Sequence, residues 1–272
     1  MLDSGHPAGR ASALNSSWFR LRDGGSSVPR VAMTDYDPRL VELYDLDNPD
    51  GPDHDFYRAL ADDVSASSVL DIGCGTGILT VTLAEPDRTV VGIDPSASML
   101  RYAVGRPGAG AVRWIRGDSS AIPSGEFDYA IMTGNVAQHI FDPAWSQTLL
   151  HVQRALRTGG VLAFESRNPR VRAWDAWATD AATVRPTSHG PLQEWLDVSE
   201  QPDGLVVLTA HHVFERTSEH IVETQTLAFR HRNVIEQQLL DAGMAVDAVW
   251  GDWSRNPSHE DSPIMVFQAR KP

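Results

Sequence analysis

Cysteine is nearly absent: among 272 residues only Cys74 carries a thiol. A single thiol excludes an internal disulfide framework, and a reducing cytoplasm is the expected location. No apolar run approaches the roughly 20 residues that a membrane-spanning helix needs, so no membrane partner is expected. Basic residues are also short, with 23 Lys and Arg against 36 Asp and Glu and a formal charge of −13 at pH 7. Polyanions are held on basic faces, so nucleic acid is not an expected partner. Arg167, Arg170, Arg172 and Arg185 lie close in sequence, yet the surface as a whole reads as acidic and solvated. No grouping of His, Cys and carboxylate has metal-ligand spacing, so no catalytic metal is expected. No internal repeat is present.

Residues 1–33, rich in Gly, Ser, Arg and Ala, show neither helical nor strand period and lack the apolar core of a signal peptide. They read as a disordered leader, with Met33 as a candidate initiator, ahead of one domain over 34–272. That domain centres on the run Val69–Gly77, VLDIGCGTG, a buried apolar strand that ends in three alternating glycines. A strand turning sharply into a helix needs residues that accept positive φ and let a ligand approach the backbone, and Gly73, Gly75 and Gly77 meet both needs. The helix start that follows offers free N–H groups to an anionic atom. Nicotinamide and flavin enzymes also use glycine turns, but their fingerprint would need glycine at position 78, which is Ile78 here. Asp71, just before the turn, would oppose a pyrophosphate and suit an ammonium group. A second strand, Thr89–Ile93, ends at Asp94, about 20 residues beyond the turn, where a carboxylate accepts the two hydroxyls of a ribose.

Apolar runs predict strands near 68–72, 89–93, 112–116, 127–132 and 159–165, with helices near 77–84, 96–104 and 143–156. Such alternation implies a parallel sheet with its site at the carboxyl ends of the strands. Residues 166–190 read as irregular, and 193–198, 205–216 and 220–229 as antiparallel strands. Together, 166–230 form an expected insertion covering the active site. A helix over 234–242 and strands over 246–250 and 264–269 close the chain.

The run VLDIGCGTGILT followed by VVGIDPSASML resembles the class I S-adenosylmethionine-dependent methyltransferases over roughly residues 34–270. The resemblance implies a Rossmann-like, doubly wound, mostly parallel seven-stranded sheet with an antiparallel edge strand, and an antiparallel β insertion as a lid. It implies S-adenosyl-L-methionine as cofactor and a small-molecule acceptor as partner, leaving acceptor atom and oligomeric state open. The cofactor residues it implies begin with Tyr36 and Tyr44 in a segment folding over the ligand, then Asp71, Gly73, Cys74, Gly75 and Gly77 at the turn. Asp94 and Pro95 stand at the ribose, Met99 against adenine, Asp118 and Ser119 at the adenine amino group, and Asn135 and Val136 beside the methionine part. The motifs report binding rather than turnover, so a non-catalytic binder of the same cofactor stays open as a second reading, and a nucleotide-dependent dehydrogenase is a weaker third.

Where a hydroxyl acceptor must lose a proton, a neutral imidazole suits the task. His139, four residues after Asn135, is the first candidate base and His189, beside a Gly-Pro turn, the second. His211 and His212 are strand neighbours, so at most one of them faces a pocket. Glu165 and Arg167 stand where the fifth strand exits, and Arg167 offers a planar fork to a carboxylate or phosphate. Trp174, Trp177, Trp195 and Trp250 are candidate pocket walls.

Overall fold

A computed structural model describes residues 35–125, 127–202 and 204–272. The expected leader therefore lies outside the described residues. Two helices come first. α1 (Pro38–Asp47) starts at Asp37, whose side chain accepts from the Arg39 N–H, and α2 (Pro52–Asp63) carries Asp53 and Asp55 in its first turn. Proline at the first helical positions wastes no donor, and acid there complements the helix dipole. That is why α2 begins four residues before the apolar stripe at Phe56.

The central sheet contains β1 (Ser68–Ile72), β2 (Thr89–Asp94), β3 (Val112–Arg116), β4 (Phe127–Met132), β5 (Leu156–Arg167), β10 (Ala245–Trp250) and β11 (Ile264–Arg270), in the order β10-β11-β5-β4-β1-β2-β3. β1, β2 and β4 are buried along almost their whole length, as helices on both faces require. One face packs Leu70, Ile72 and Phe164 against α6 (Ala144–Ala155) and α7 (Arg232–Asp241). The other packs Val69 and Ile131 against Tyr57 and Leu60 of α2 and Leu83 of α3 (Thr80–Leu83). The short α4 (Ala97–Ala103) and α5 (Val136–His139) complete the helices.

Three local expectations change. The helix predicted over 77–84 shrinks to α3, because Gly77 holds φ at +74°, where a right-handed helix cannot continue. The antiparallel strand is β11, pairing β5 on one side and β10 on the other, so it lies one position inside the edge. The stretch 166–190 is not wholly irregular, since β6 (Thr183–Thr187) lies within it. Its Pro186 is tolerated because β6 is an edge strand, where a missing N–H breaks no ladder.

β6 joins β7 (Gly190–Glu200), β8 (Leu205–Phe214) and β9 (Glu219–Ala228) in a second, wholly antiparallel sheet between β5 and α7 in the chain. β8 alternates strictly between buried and half-buried residues. Leu192 of β7 and Phe214 of β8, on the inner face of the sheet, pack on Leu40 and Leu43 of α1. Val206, Leu208 and Leu227 pack on Trp174 and Trp177. Three polar ties, Arg39 to Glu219 at 2.6 Å, Asp47 to Arg185 at 2.8 Å and Glu42 to His189 at 2.8 Å, fasten the sheet to α1.

Candidate active site

Where β1 ends, the Gly73 and Cys74 N–H groups donate to the Ile93 carbonyl at 2.7 and 3.1 Å, which binds the turn to the tip of β2. Gly73, Gly75 and Gly77 hold φ of +76°, +53° and +74°. A Cβ on Gly73 would meet Val136 Cγ2 at 2.5 Å, and one on Gly77 would meet the Trp114 indole at 2.5 Å. Gly75 has open space where a Cβ would stand, so its backbone is approachable.

Asp94 organises the turn. Its Oδ2 accepts from the Gly75 N–H at 2.9 Å and its Oδ1 from the Ser96 N–H at 2.8 Å. Burial nevertheless pushes its carboxyl up to about 6. Asp71 is buried likewise and pushed to about 7, with the nearby Asp94 charge adding to the shift. Asp71 Oδ2 accepts from the Thr80 hydroxyl at 2.7 Å, while Oδ1 has no hydrogen-bond partner among the described residues.

A cavity of about 280 Å³ opens here, lined by Asp71, Gly73, Cys74, Gly75 and Tyr44 among others. The segment before α2 closes over it. Asp35 accepts from Ser96 Oγ at 2.6 Å and from the Ser98 N–H at 2.9 Å. Asp45 accepts from Thr76 Oγ1 at 2.6 Å and pairs with Arg106. Tyr44 lies under this cover, its phenol held protonated chiefly by burial. Tyr36 is half-buried and not among the residues lining the cavity; its hydroxyl lies 3.5 Å from Gln225 of β9.

The other residues singled out from the sequence divide. Met99 is buried in α4, its N–H donated to Ser96 Oγ at 3.1 Å. Pro95 follows Asp94, its carbonyl accepting from Arg116 at 3.3 Å. Asp118 stands half-buried beyond β3, accepting from the Ser120 N–H at 2.8 Å. Ser119 turns away, its hydroxyl 3.0 Å from both Thr148 and His151 of α6. Cys74 lines the cavity, with burial holding its thiol protonated. Val136 has no exposure and packs its side chain on Gly73.

At the ends of β4 and β5 a second polar group forms. Asn135 adopts φ +62°, donates its N–H to Glu165, and leaves Oδ1 without a partner among the described residues. Tyr57 donates its hydroxyl to the other Glu165 oxygen, and burial pushes the Glu165 carboxyl up to about 7. Arg167 is buried too, which lowers it to about 10; its guanidinium lies 5.0 Å from the Trp177 ring centre and donates to Gln138 Oε1 at 3.2 Å. His139 is sealed in beside them. Burial first, and the Arg167 charge second, push it down to about 3, so it stays neutral but is a feeble base. His189 lies outside the cavity, its Nε2 2.8 Å from Glu42 and its ring against Phe214. Of the neighbouring histidines, His212 faces inward, with Nδ1 3.1 Å from Glu194, and His211 faces out.

Thr133 and Gly134, the residues just before Asn135, also line the cavity, as do Asn48 and Asp53, which were not singled out from the sequence. Asp53 looks like any acid in a first helical turn. Asn48 ends α1, and nothing in its neighbourhood marks it as facing a ligand. With Asp71 Oδ1 and Asn48 Oδ1 unpartnered in one cavity, the site presents acceptors that suit a ligand bearing an ammonium group and hydroxyls.

The buried carboxyls make a test. Each folded value lies above its ordinary one, so each adds stability that is complete at low pH and is lost as pH rises, through about 6 for Asp94 and about 7 for Asp71 and Glu165. His139 runs the other way: its contribution is complete above its ordinary 6.5 and fades on acidification toward about 3. Between about pH 5.5 and 8 the carboxyls prevail. The ligand-free protein should melt several degrees higher near pH 5.5 than near pH 8, and Asp71→Asn should remove part of that slope. A melting temperature that climbs with pH across this window would contradict the assignment.

A family model described as a methyltransferase domain matches residues 69–160, which span β1 to the start of β5. A trans-aconitate 2-methyltransferase of Azoarcus sp. (strain BH72) is 42% identical over 142 residues, covering 48% of this chain and 54% of that protein. An uncharacterized methyltransferase of Synechocystis, sll0829, is 35% identical over 111 residues, covering 40% of this chain and 50% of its own. The chain thus spans about half the length of these curated relatives. Among solved structures, the CcbJ methyltransferase of Streptomyces caelestis superposes with a TM-score of 0.71 at 16% identity, covering 87% of this chain and 99% of that one. The sugar N-methyltransferase KedS8 of Streptoalloteichus sp ATCC 53650 gives 0.70 at 18% identity, covering 93% and 100%. At such identities the likeness speaks for the fold, and the fold includes the second sheet as well as the first. The family match falls on the strands that build the glycine turn, the same strands the sequence motifs pick out, so residues 69–160 are similar to the methyltransferase domain of that family.

Proposed function

We propose that the protein transfers a methyl group from S-adenosylmethionine to a small-molecule acceptor. The observation that carries this reading is the unpartnered Asp71 oxygen in the cavity beside a turn whose Gly75 N–H is held by Asp94. When bound, S-adenosylmethionine supplies an electrophilic methyl on a sulfonium. Asp94 keeps lone pairs for the ribose hydroxyls, and Asp71 provides the charge partner for the ammonium. Both carboxyls are raised by burial in the ligand-free protein, and donors on the ligand would bring them back toward the anion. Asp118 and Met99 serve the adenine, and Tyr44 and Tyr36 close the cover and keep water out.

The acceptor chamber in this reading lies between the β4 and β5 ends and the inner face of the second sheet. Arg167, over the Trp177 ring, gives it a buried positive charge, which favours an acceptor carrying a carboxylate or another anionic group. The Azoarcus relative, a trans-aconitate 2-methyltransferase, fits that class. His139 contributes packing rather than proton removal, because an imidazole held near 3 takes up almost no proton at neutral pH.

Calorimetry with S-adenosylmethionine and its demethylated product should each give one site per chain. A panel of small carboxylic acids and amino sugars should then yield demethylated product with at least one member. Binding without release from any acceptor would leave the chain as a cofactor binder, and absence of binding would overturn the reading.

A further inference from the structure

We propose that the outer face of the second sheet carries a site for a divalent transition metal, with His211 Nδ1 and His220 Nε2 as its two protein ligands. The two nitrogens lie 3.1 Å apart on neighbouring strands. Two ligand atoms each about 2.0–2.1 Å from one ion, at square-planar to tetrahedral angles, stand about 2.9–3.4 Å apart. The separation therefore needs no rearrangement of the backbone.

The strand register explains the pairing. His211 of β8 stands opposite Val222, and His220 opposite Val213, so the two imidazoles meet on the diagonal between β8 and β9. Strand alternation sends His211 outward and His212 inward, which keeps this pair apart from the inner polar residues.

Neighbouring side chains hold the rings. Trp195 of β7 stands opposite His211 and lies parallel to it, 3° between planes and 4.5 Å between centres. It also reaches the His220 ring at 5.3 Å. The second nitrogen of His211, Nε2, is 3.1 Å from Asp197 Oδ2. A carboxylate on the far nitrogen of a metal-binding histidine fixes its tautomer and raises its basicity. With Nε2–H donating to Asp197, the Nδ1 lone pair of His211 faces His220. In the metal-free protein it accepts the Nε2–H of His220. An ion about 2.0–2.1 Å from both nitrogens stands to one side of the line between them, so the two rings tilt toward it and His220 carries its ring proton on Nδ1 instead.

Among the described residues no group of three or more His, Cys, Asp or Glu could hold a metal, so this is a two-ligand site completed by solvent. His220 is exposed, which leaves room for that water. Two imidazole nitrogens select ions of borderline softness, Cu(II) above Ni(II) and Zn(II), over Mg(II) or Ca(II).

The test uses chelator-treated full-length chain titrated with copper(II) chloride near neutral pH, read by tryptophan fluorescence, with zinc calorimetry in parallel. One equivalent should bind in the micromolar range and quench Trp195. His220→Ala should weaken that phase about tenfold or more, and Asp197→Asn should weaken it severalfold. Trp195→Phe should keep zinc affinity and lose most of the copper quenching. The proposal is overturned if the wild type shows no such phase or His220→Ala titrates like the wild type. Quenching that survives undiminished in Trp195→Phe overturns it too, since the ion then sits at other histidines.

Discussion

Replacing Asp94 with alanine should lower affinity for S-adenosylhomocysteine at least a hundredfold, while the protein stays folded. The carboxylate holds two backbone donors, Gly75 N–H and Ser96 N–H, and in the proposed complex it also accepts from the ribose. The two backbone donors lose their acceptor with or without ligand and so weaken the fold, whereas the hydrogen bonds of two ribose hydroxyls to a carboxylate, about 1.5–3 kcal/mol each, are lost from binding alone. The penalty falls more on the complex than on the fold. In the ligand-free protein, Asp94 is itself an uneasy buried anion with its carboxyl raised to about 6, so deleting it also removes a burial cost at neutral pH. Calorimetry and thermal melting of the same samples separate the two effects. Unchanged affinity would take Asp94 out of the site.

Gly73→Ala should be severely damaging, with a stability loss of about 3 kcal/mol and no measurable cofactor binding. Two causes add. At φ +76° an L-residue pays about 1–2 kcal/mol of backbone strain, and the new Cβ falls 2.5 Å from Val136 Cγ2, an overpacking that costs about 1–3 kcal/mol. They are separable. Val136→Ala removes the methyl that collides, so the double variant Gly73→Ala, Val136→Ala should recover part of the loss, and what remains measures the strain. A double variant no better than Gly73→Ala alone, by denaturant unfolding, would mean that contact with Val136 is not the source.

The legible part of the fold followed from burial on two sides. Strands such as Val69–Ile72, apolar but for Asp71, and Tyr129–Met132 read as apolar runs because helices cover both faces, and their bounds are visible within a residue or two. Helix starts were less visible. α2 begins at Pro52, on capping chemistry rather than apolar period, and α3 is cut short by the φ of Gly77. β6 was hidden because Pro186 argues against a strand unless the strand is known to be an edge.

In the candidate site, local spacing pointed to Gly73, Gly75 and Asp94, which lie within one turn and one strand end of each other. It had no purchase on Asn48 or Tyr57, whose neighbours in space come from distant elements. The histidines show the same divide. His139 stands at the expected place in the chain, but its base strength depends on how deeply it is buried and on Arg167, and neither is written in the sequence around it. His189 sits beside a turn as the sequence implies, and only the packing of the second sheet on α1 sends it to Glu42.

The sequence by itself determined the parallel sheet, the glycine turn and the acidic tip of the second strand. Each depends on residues close in the chain, through apolar period and the positive φ that glycine alone accepts cheaply. Only the tertiary structure decided which carboxyl is left with an open oxygen, which imidazole is too buried to take a proton, and which histidines meet across strands. Those properties depend on desolvation and on contacts between elements far apart in the chain, and both exist only once the chain has packed.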